Sequence, residues 1–187
     1  MPEFSFSMPL PDSPHPVVGC PVQGDIRAQR AAMAQLLAQA GWPTPRKEDS
    51  GRPRMANAHC SLSHGGGWAV AARHTRPIGV DVEAASDRLL KVAARFCAPA
   101  DQPVLDHFGE GMETLCRLWT AKEAVFKAFG TSVDFLTGIR WTEVGDDTAR
   151  LTAVQHTCDL ELRWIRMPQS TAPAPVWLAV AVAGTNA

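Results

Sequence analysis

The chain has 187 residues, of which 45% are apolar and 20% are charged, a balance that is ordinary for a soluble globular protein. A chain of this length folds as one compact domain or as two small halves that share a core. Its five cysteines are an odd number without a Cys-x-x-Cys pair, which argues against a disulfide framework and against a zinc ribbon. Free thiols in a reducing compartment are the simpler explanation, and the sequence shows neither a signal-peptide pattern nor an apolar run of bilayer length. We therefore expect a cytoplasmic protein.

The net charge of -1 conceals an uneven distribution along the chain. Residues 26–95 hold eleven basic and five acidic side chains, a balance of +6, whereas residues 96–187 hold seven basic and eleven acidic ones, a balance of -4. A basic stretch can attract an anionic ligand or an acidic partner. An unevenly charged, solvated surface is the simpler interpretation of this distribution alone.

Proline and serine are frequent from Met8 to Pro21, so residues 1–24 are expected to form an extended or loosely attached leader. The next segment, Asp25–Ala40, is predicted to be a helix because Asp25 is a suitable N-cap and apolar residues recur at helical spacing. Gly41 is expected to end this helix. The predicted apolar stripe consists of Ile26, Met33, Leu36, Leu37 and Ala40.

Three short strands are predicted after a polar loop. Cys60–His64 and Trp68–Ala72 form a hairpin around three consecutive glycines. The third strand is Pro77–Glu83, in which Ile78 and the two following valines give a β-branched residue at every second position.

The remaining chain is predicted to contain helices followed by strands. A helix is expected at Ser86–Phe96, a second short one after Pro99, and the strongest at Glu113–Phe129, where Gly130 ends it. The predicted strands are Ile139–Val144, Arg150–Ala153, Asp159–Ile165 and Val176–Val182. Helices and strands thus interleave twice, which predicts an α+β protein of two related halves, residues 25–84 and 85–187, behind the leader.

Two acids share one face of the third predicted strand. Asp81 and Glu83 are two residues apart, so they point the same way with Cα atoms roughly 6.5 to 7 Å apart. Paired carboxylates suit a hard divalent cation such as Mg²⁺. The pattern is common, however, and most examples are simply solvated acids.

A second acid lies beside a lysine on the strongest predicted helix. Glu123 and Lys127 are four residues apart and therefore neighbours on the helix surface. An exposed ion pair of this kind contributes little to stability. Here Trp119 and Phe126 surround the pair with apolar surface, and a half-buried acid and lysine usually have a function.

Two further features could contact phosphate. Ser63 and His64 end a strand at the glycine-rich turn, where exposed N–H groups can meet phosphate oxygens. Arg52 and Arg30 carry forked donors that suit phosphate. Without other support, a hairpin with a surface histidine is the simpler interpretation of the first feature, and plain surface charge is the alternative for the second.

The order of these motifs is specific, although each alone is not. The run G-R-P, S-L-S-H-G-G-G-W, P-I-G-V-D-V-E and, about forty residues later, L-W-T-A-K-E-A-V-F-K resembles the 4'-phosphopantetheinyl transferase superfamily. It is most similar to the two-halved, surfactin-synthetase-activating type. The resemblance covers about residues 25–130 well and the tail loosely. It implies an enzyme that transfers the 4'-phosphopantetheine group of coenzyme A to a serine of an apo acyl or peptidyl carrier protein and releases 3',5'-ADP.

The resemblance also implies roles for individual residues. The expected metal ligands, for Mg²⁺ or alternatively Mn²⁺, are Asp81, Glu83 and Glu123. Glu123 and Lys127 are the expected catalytic residues. The expected contacts to coenzyme A are Arg30, Arg52, Ser63, His64, Lys122 and Lys127. The implied enzyme is a monomer without nucleic-acid or membrane partners.

Three departures from the family pattern bear on these expectations. Gly65 replaces the second serine of the usual S-H-S, Arg52 stands where the family often has lysine, and the first residues lack the basic side chains that often precede the first helix. These departures leave a non-catalytic relative that binds carrier or coenzyme A as an alternative. A magnesium-dependent phosphohydrolase or nuclease is another, because three acids and two lysines also suit phosphate-ester cleavage.

Overall fold

The computed structural model describes residues 5–49, 51–130, 133–168 and 173–185. These residues form two antiparallel sheets and α-helices. The first sheet contains β1 (Phe6–Met8), β2 (Val17–Pro21), β3 (Arg46–Lys47), β4 (Pro53–Met55), β5 (Ala58–Gly65) and β6 (Trp68–His74). The second contains β7 (Ile78–Ala84), β8 (Ile139–Val144), β9 (Thr148–Ala153), β10 (Cys158–Arg166) and β11 (Val176–Ala183). The α-helices are α1 (Ile26–Gln39), α2 (Asp87–Val92), α3 (Gln102–Phe108) and α4 (Met112–Phe129).

The strand orders are β1-β2-β6-β5-β4-β3 in the first sheet and β7-β11-β10-β9-β8 in the second. This arrangement confirms the predicted α+β class. Strand β7 follows β6 in the chain but pairs with β11, so the second sheet takes its first strand from before residue 85. The division of the chain into two related halves stays a prediction. None of the helices in the described ranges has the length and apolar character needed to cross a bilayer.

The two sheets pack against each other, and each carries a helix on its outer face. In β7, Val80 and Val82 point into the core between the sheets, together with Val70 of β6. The alternate residues of β6, Ala69 and Ala71, face α1 instead. This alternation follows from the period of two in a strand, and it produces four layers: α1, first sheet, second sheet, α4.

The expected loose leader is wrong, because residues 1–24 contain β1 and β2, which pair with each other and continue the first sheet through β6. Val17 and Val18 lie in β2, which pairs with β6, and neither side chain is exposed. Val17 packs between the sheets and Val18 packs under α1. Burial of these two apolar, β-branched side chains is favourable enough to place a proline-rich segment inside the first sheet.

Local signals located the helices well. Asp25 caps α1 by accepting the N–H groups of Arg27 at 3.0 Å and Ala28 at 3.1 Å. The predicted stripe of α1 is wrong at Ile26, which is 47% exposed because it lies in the first turn, before the helix meets the sheet. The helix expected at Ser86–Phe96 ends as α2 at Val92 and continues as a 3₁₀ turn.

Helix α4 lies directly on β7 because Gly79 has no side chain. A Cβ atom at Gly79 would lie 1.8 Å from the carbonyl oxygen of Ala124, a distance that no real side chain could occupy. The next two side chains on this face of β7 are Asp81 and Glu83. The close approach at Gly79 therefore brings both acids to the surface of α4.

Candidate functional site

Asp81 lies at the junction of the two sheets and α4. Its Oδ1 atom accepts a hydrogen bond from the Ser63 hydroxyl at 2.9 Å and one from the Lys127 ammonium at 2.7 Å. The Asp81 residue is 7% exposed, so this ion pair is shielded from water on most sides. One residue from each sheet and one from α4 thus meet in a single charged contact.

Glu83 lies two residues further along β7, towards solvent. Its carboxylate accepts from Arg88 of α2 at 2.9 Å and from the N–H of Ala84 at 3.2 Å. Partial burial raises the pKa of Glu83, the Arg88 guanidinium opposes this rise, and the charge of Asp81 adds to it. Glu83 therefore lies near Asp81, and both acids have limited access to water.

Glu123 faces the same place from α4. Burial raises its pKa most, repulsion from Asp81 and Glu83 raises it further, and only Lys127 among the nearby charges lowers it. The charges of the three acids therefore interact. A bound cation would reduce the electrostatic repulsion between the three carboxylates.

The chemistry of the side chains suits a hard divalent cation, because three carboxylates whose charges interact lie near a lysine. In the described part of the chain, no group of three or more His, Cys, Asp or Glu side chains is placed so that it could hold a metal ion. Asp81 and Glu83 instead contact the cations of Lys127 and Arg88. The chemical types of these residues therefore suit a metal ion, but in this structure Asp81 and Glu83 are paired with basic side chains.

Lys122 lies elsewhere, which corrects the expectation that it contacts pyrophosphate. Its ammonium is 1% exposed and donates to the Asp101 carboxylate at 2.6 Å and to the carbonyl oxygens of Phe96 and Phe135 at 2.7 and 2.5 Å. Asp101 in turn accepts from the indole N–H of Trp141 at 2.8 Å. Successive helix residues are about 100° apart, so Lys122 points into the core while Glu123 points to the site.

The hairpin that contains Ser63 and His64 reaches the site from the first sheet. Ser63 is 5% exposed and bonded to Asp81, whereas the His64 side chain is exposed. A Cβ atom at Gly65 would lie 2.1 Å from the carbonyl oxygen of Val82. The serine that the family usually has at this position could not be accommodated here unless β5 and β7 moved apart.

The two predicted arginines take different positions. Arg52 is half-buried, and its guanidinium donates to the carbonyl oxygen of Ala128 at the end of α4. It lines a cavity of about 250 Å³ together with Lys127 and Phe126. Arg30 is exposed on α1. Arg52 therefore lies next to the acidic cluster, and Arg30 lies on the outer helix of the first sheet.

Sequence reasoning missed three residues that organise this region. Arg88 neutralises Glu83, Asp101 fixes Lys122, and Ser61 accepts the N–H of Val80 at 3.0 Å. Each acts on a residue distant in sequence or across a turn, so no local spacing reveals it. The one available signal was the alternation of Ser61 and Ser63 on a strand, which predicts that both hydroxyls face the same way.

Comparison with known proteins identifies the family. The family model described as 4'-phosphopantetheinyl transferase superfamily matches residues 77–181, which is more than half of the chain and includes β7, α4 and most of β11. The chain therefore belongs to the 4'-phosphopantetheinyl transferase superfamily, as its motifs indicated.

Curated relatives carry the same family name. The chain is 32% identical over 119 residues to 4'-phosphopantetheinyl transferase psf-1 of Bacillus pumilus, a match that covers 59% of the chain and 51% of the relative. It is 31% identical over 80 residues to 4'-phosphopantetheinyl transferase Sfp of Bacillus subtilis strain 168, covering 42% and 36%. It is 31% identical over 88 residues to 4'-phosphopantetheinyl transferase gsp of Aneurinibacillus migulanus, covering 46% and 37%. The chain thus spans about half or less of the length of these relatives.

Proposed function

We propose that this protein transfers the 4'-phosphopantetheine group of coenzyme A to a serine of an apo acyl or peptidyl carrier protein. The observation that carries the proposal is the meeting of Asp81, Glu83, Glu123 and Lys127 where the two sheets and α4 join. Membership of the superfamily makes this reaction the first candidate. The three acids and a lysine also match what a pyrophosphate-bearing substrate requires.

In the reaction, the carrier serine oxygen forms a bond to the phosphorus that bears the pantetheine arm. The bond from that phosphorus to the bridging oxygen of the pyrophosphate breaks, and 3',5'-ADP leaves with the electron pair. Glu123 accepts the serine proton, directly or through one water. Lys127 donates to the phosphate oxygens that gain negative charge.

Asp81, Glu83 and Glu123 are the proposed ligands of Mg²⁺, with Mn²⁺ as the alternative. When bound, the ion supplies positive charge to the pyrophosphate. Lys127 and Arg88 contact two of these carboxylates in the structure. If a cation held the acids, both basic side chains would be free to contact phosphate. Coenzyme A would thus meet a site in which cations and carboxylates exchange partners.

The nucleotide end of coenzyme A is proposed to contact Arg52, His64 and Arg30. The cavity of about 250 Å³ beside Lys127 supports this orientation, because Arg52 and Phe126 line it and offer a charged group and an aromatic ring. His64 is exposed at the end of β5, where a ligand can reach it.

The carrier is proposed to dock along Gly130–Glu161 and the neighbouring apolar surface. Within this stretch, positions 131 and 132 lie outside the described residues. Leu136 and Val154, which are 39% and 38% exposed, are the large apolar side chains within this stretch that a carrier could cover.

We further propose a cytoplasmic monomer that has neither nucleic acid nor membrane as a partner. The five cysteines are all free in the structure, as expected in a reducing compartment. Size-exclusion chromatography with light scattering tests the monomer directly, and a stable dimer would contradict it.

The test of the proposed function is incubation of the protein with coenzyme A, Mg²⁺ and a panel of apo carriers, read by intact-mass spectrometry. The proposal predicts that at least one carrier gains one phosphopantetheine group and that 3',5'-ADP appears in equal amount. A hydrolase would release nucleotide without modifying any carrier. Binding of coenzyme A or carrier without transfer would indicate a non-catalytic relative, and either result would contradict the proposal.

A further inference from the structure

Two serine hydroxyls join the two sheets. Strand β7 is the first strand of its sheet, so one of its edges has no strand partner there. Ser61 and Ser63 of β5 point to this edge, where their hydroxyl oxygens accept the N–H groups of Val80 at 3.0 Å and Val82 at 3.2 Å. All four residues are buried, so each hydroxyl satisfies a backbone donor that water cannot reach. The hydroxyls thus take the place of a neighbouring strand.

Ser63 differs from Ser61 because its hydroxyl also contacts charged side chains. The Ser63 oxygen accepts from the N–H of Val82 and from the Lys127 ammonium at 3.0 Å, and its proton is donated to Asp81 at 2.9 Å. A hydroxyl has one donor and two acceptor positions. Every hydrogen-bonding position of Ser63 is therefore occupied by the protein.

We propose that Ser63 is a positioning residue that holds Lys127 and Asp81 in place, and that it is not a direct ligand of the coenzyme A phosphates. This inference rests on the proposed function. Its basis is the complete hydrogen bonding of the hydroxyl and the 5% exposure of the residue, which leave phosphate neither a free donor nor an approach. The exposed neighbour His64 is the group on this hairpin that a phosphate can reach.

The backbone around Ser63 is fixed as tightly as its side chain. Gly65, two residues further along β5, approaches the carbonyl oxygen of Val82 so closely that a Cβ atom would lie 2.1 Å away. The hydroxyl of Ser63 and the backbone of Gly65, both on β5, thus contact the backbone of Val82 in β7. Such a support restricts the positions of Asp81 and Lys127, and restriction of this kind is what a catalytic constellation needs.

The Ser63 hydroxyl donates to Asp81 and accepts from Lys127, so it can keep one of these contacts if the other is lost. When the Asp81 carboxylate is engaged by a cation, Ser63 can still accept a hydrogen bond from Lys127. Lys127 therefore keeps one fixed neighbour in either situation. A methyl group at position 63 would leave the ammonium without this anchor.

The chain itself offers a matched control for the test. Ser61→Ala and Ser63→Ala each remove one buried hydroxyl that accepts a β7 N–H group, but only Ser63 also contacts Lys127 and Asp81. Unfolding midpoints would show the shared structural cost. Transfer kinetics and calorimetric binding of coenzyme A, with Mg²⁺ and with chelator, would then be measured well below those midpoints. Ser63→Thr restores the hydroxyl.

We expect Ser63→Ala to lower kcat about tenfold or more, the cost of a lost hydrogen bond to a charged group. Its KM and Kd for coenzyme A should stay within about twofold, whereas His64→Ala should raise both. Ser61→Ala should keep kcat within about twofold at a similar loss of stability, and Ser63→Thr should recover most of kcat. A raised Kd for coenzyme A in Ser63→Ala with unchanged kcat, or equal kcat in the two alanine variants, would overturn the inference.

A readout without turnover separates this inference from the proposed function. If the wild-type protein transfers nothing to any carrier, the proposed function fails, while double-mutant cycles on unfolding still test Ser63. The double variant Ser63→Ala/Lys127→Met should change the equilibrium constant of unfolding by less than the product of the changes in the two single variants. Ser61→Ala with Lys127→Met should show no such coupling. Absence of coupling for Ser63 would refute its positioning role.

Discussion

Lys122 and Glu123 are neighbours in one motif, yet they belong to different regions of the molecule. Lys122 is 1% exposed, and its ammonium contacts a carboxylate and two carbonyl oxygens. Glu123 is half-buried beside two other acids, and its pKa is raised by burial and by their repulsion. The charge of Lys122 is therefore compensated by its hydrogen-bond partners, whereas the charge of Glu123 is opposed by the two neighbouring acids.

This contrast shows that one helix can have a fastening side and a reactive side. On the fastening side, Asp101 joins Lys122 and Trp141, which ties α4 to the turn before α3 and to β8. On the reactive side, Glu123 and Lys127 face the acids of β7. The closed network fixes α4, and a fixed helix is what allows an electrostatically strained cluster to persist beside it.

The largest expected effect belongs to the reactive side. Glu123→Gln removes the proposed base and one proposed metal ligand, so transfer should fall by about 10² to 10⁴. The fold should be retained, because Glu123 repels its neighbours in the absence of a cation. Single-turnover transfer read by mass spectrometry, with circular dichroism for the fold, measures both. Asp81→Ala should lose transfer in the same way, and near-normal rates for either variant at saturating Mg²⁺ would remove the metal assignment.

The fastening side predicts a loss of stability. Lys122→Met leaves the buried carboxylate of Asp101 without its cation, and breaking a buried ion pair typically costs about 3–5 kcal/mol of unfolding free energy. Urea denaturation measures the loss. The matched control is Lys127→Met on the same helix, where the lysine side chain is 28% exposed and the loss should be smaller. Asp101→Asn should recover part of the loss when combined with Lys122→Met, and equal losses for both lysines would contradict the assigned sides.

The raised pKa values predict a smaller, pH-dependent effect in metal-free protein. Glu83 and Glu123 titrate above their ordinary value of 4.5 in the folded state, so the folded protein binds more protons than the unfolded chain in that window. Stability is therefore lost as pH rises from about 4.5 through the folded pKa values. The Tm of Glu123→Gln relative to wild type should rise over this window by a few degrees at most. A difference in Tm that is constant with pH would show that Glu123 carries no electrostatic strain.

The smallest effect concerns steering of the carrier by the basic side chains Arg73, Arg76, Arg88 and Arg95. Arg95 is the best probe, since it is exposed, whereas Arg88 contacts Glu83 and Arg76 contacts Asp12. For an acidic carrier, Arg95→Glu should lower kcat/KM about threefold at low salt and less at high salt. Arg163→Glu on β10 is a comparison in the second sheet. No change in apparent carrier affinity for Arg95→Glu would refute steering.

Much of the fold was predictable because local signals and burial agreed. Asp25 caps α1, Gly130 ends α4, and Val80 and Val82 alternate with Asp81 on a strand. The β2 strand was not predicted, because the prolines around Val17 conceal a short apolar pair whose burial depends on β6. Pairing of β7 with the second sheet is likewise a long-range choice that no local pattern encodes.

In the candidate site, too, local signals in the sequence were informative and long-range contacts could not be predicted. The convergence of Asp81, Glu83 and Glu123 on one cation, expected from the strand period and the family motif, stays a prediction, and the observation beside it is that repulsion from the other two acids raises the pKa of Glu123. The side of α4 on which Lys122 lies was not predicted, because its partner Asp101 is 21 residues away in the chain. Nor could the engagement of Asp81 by Ser63 be predicted, since it depends on how β5 crosses the edge of β7.

The proposed function depends on Asp81, Glu83 and Glu123 sharing one divalent cation at the junction of the sheets and α4. Titration with Mn²⁺ in the presence of coenzyme A, followed by electron paramagnetic resonance, tests it most directly. We predict one bound ion per chain whose dissociation constant rises more than about tenfold in Asp81→Asn, Glu83→Gln and Glu123→Gln. The exposed acid Glu110, replaced by glutamine, should leave it unchanged. A chain that binds no ion, or one whose affinity is indifferent to these three acids, would contradict the account.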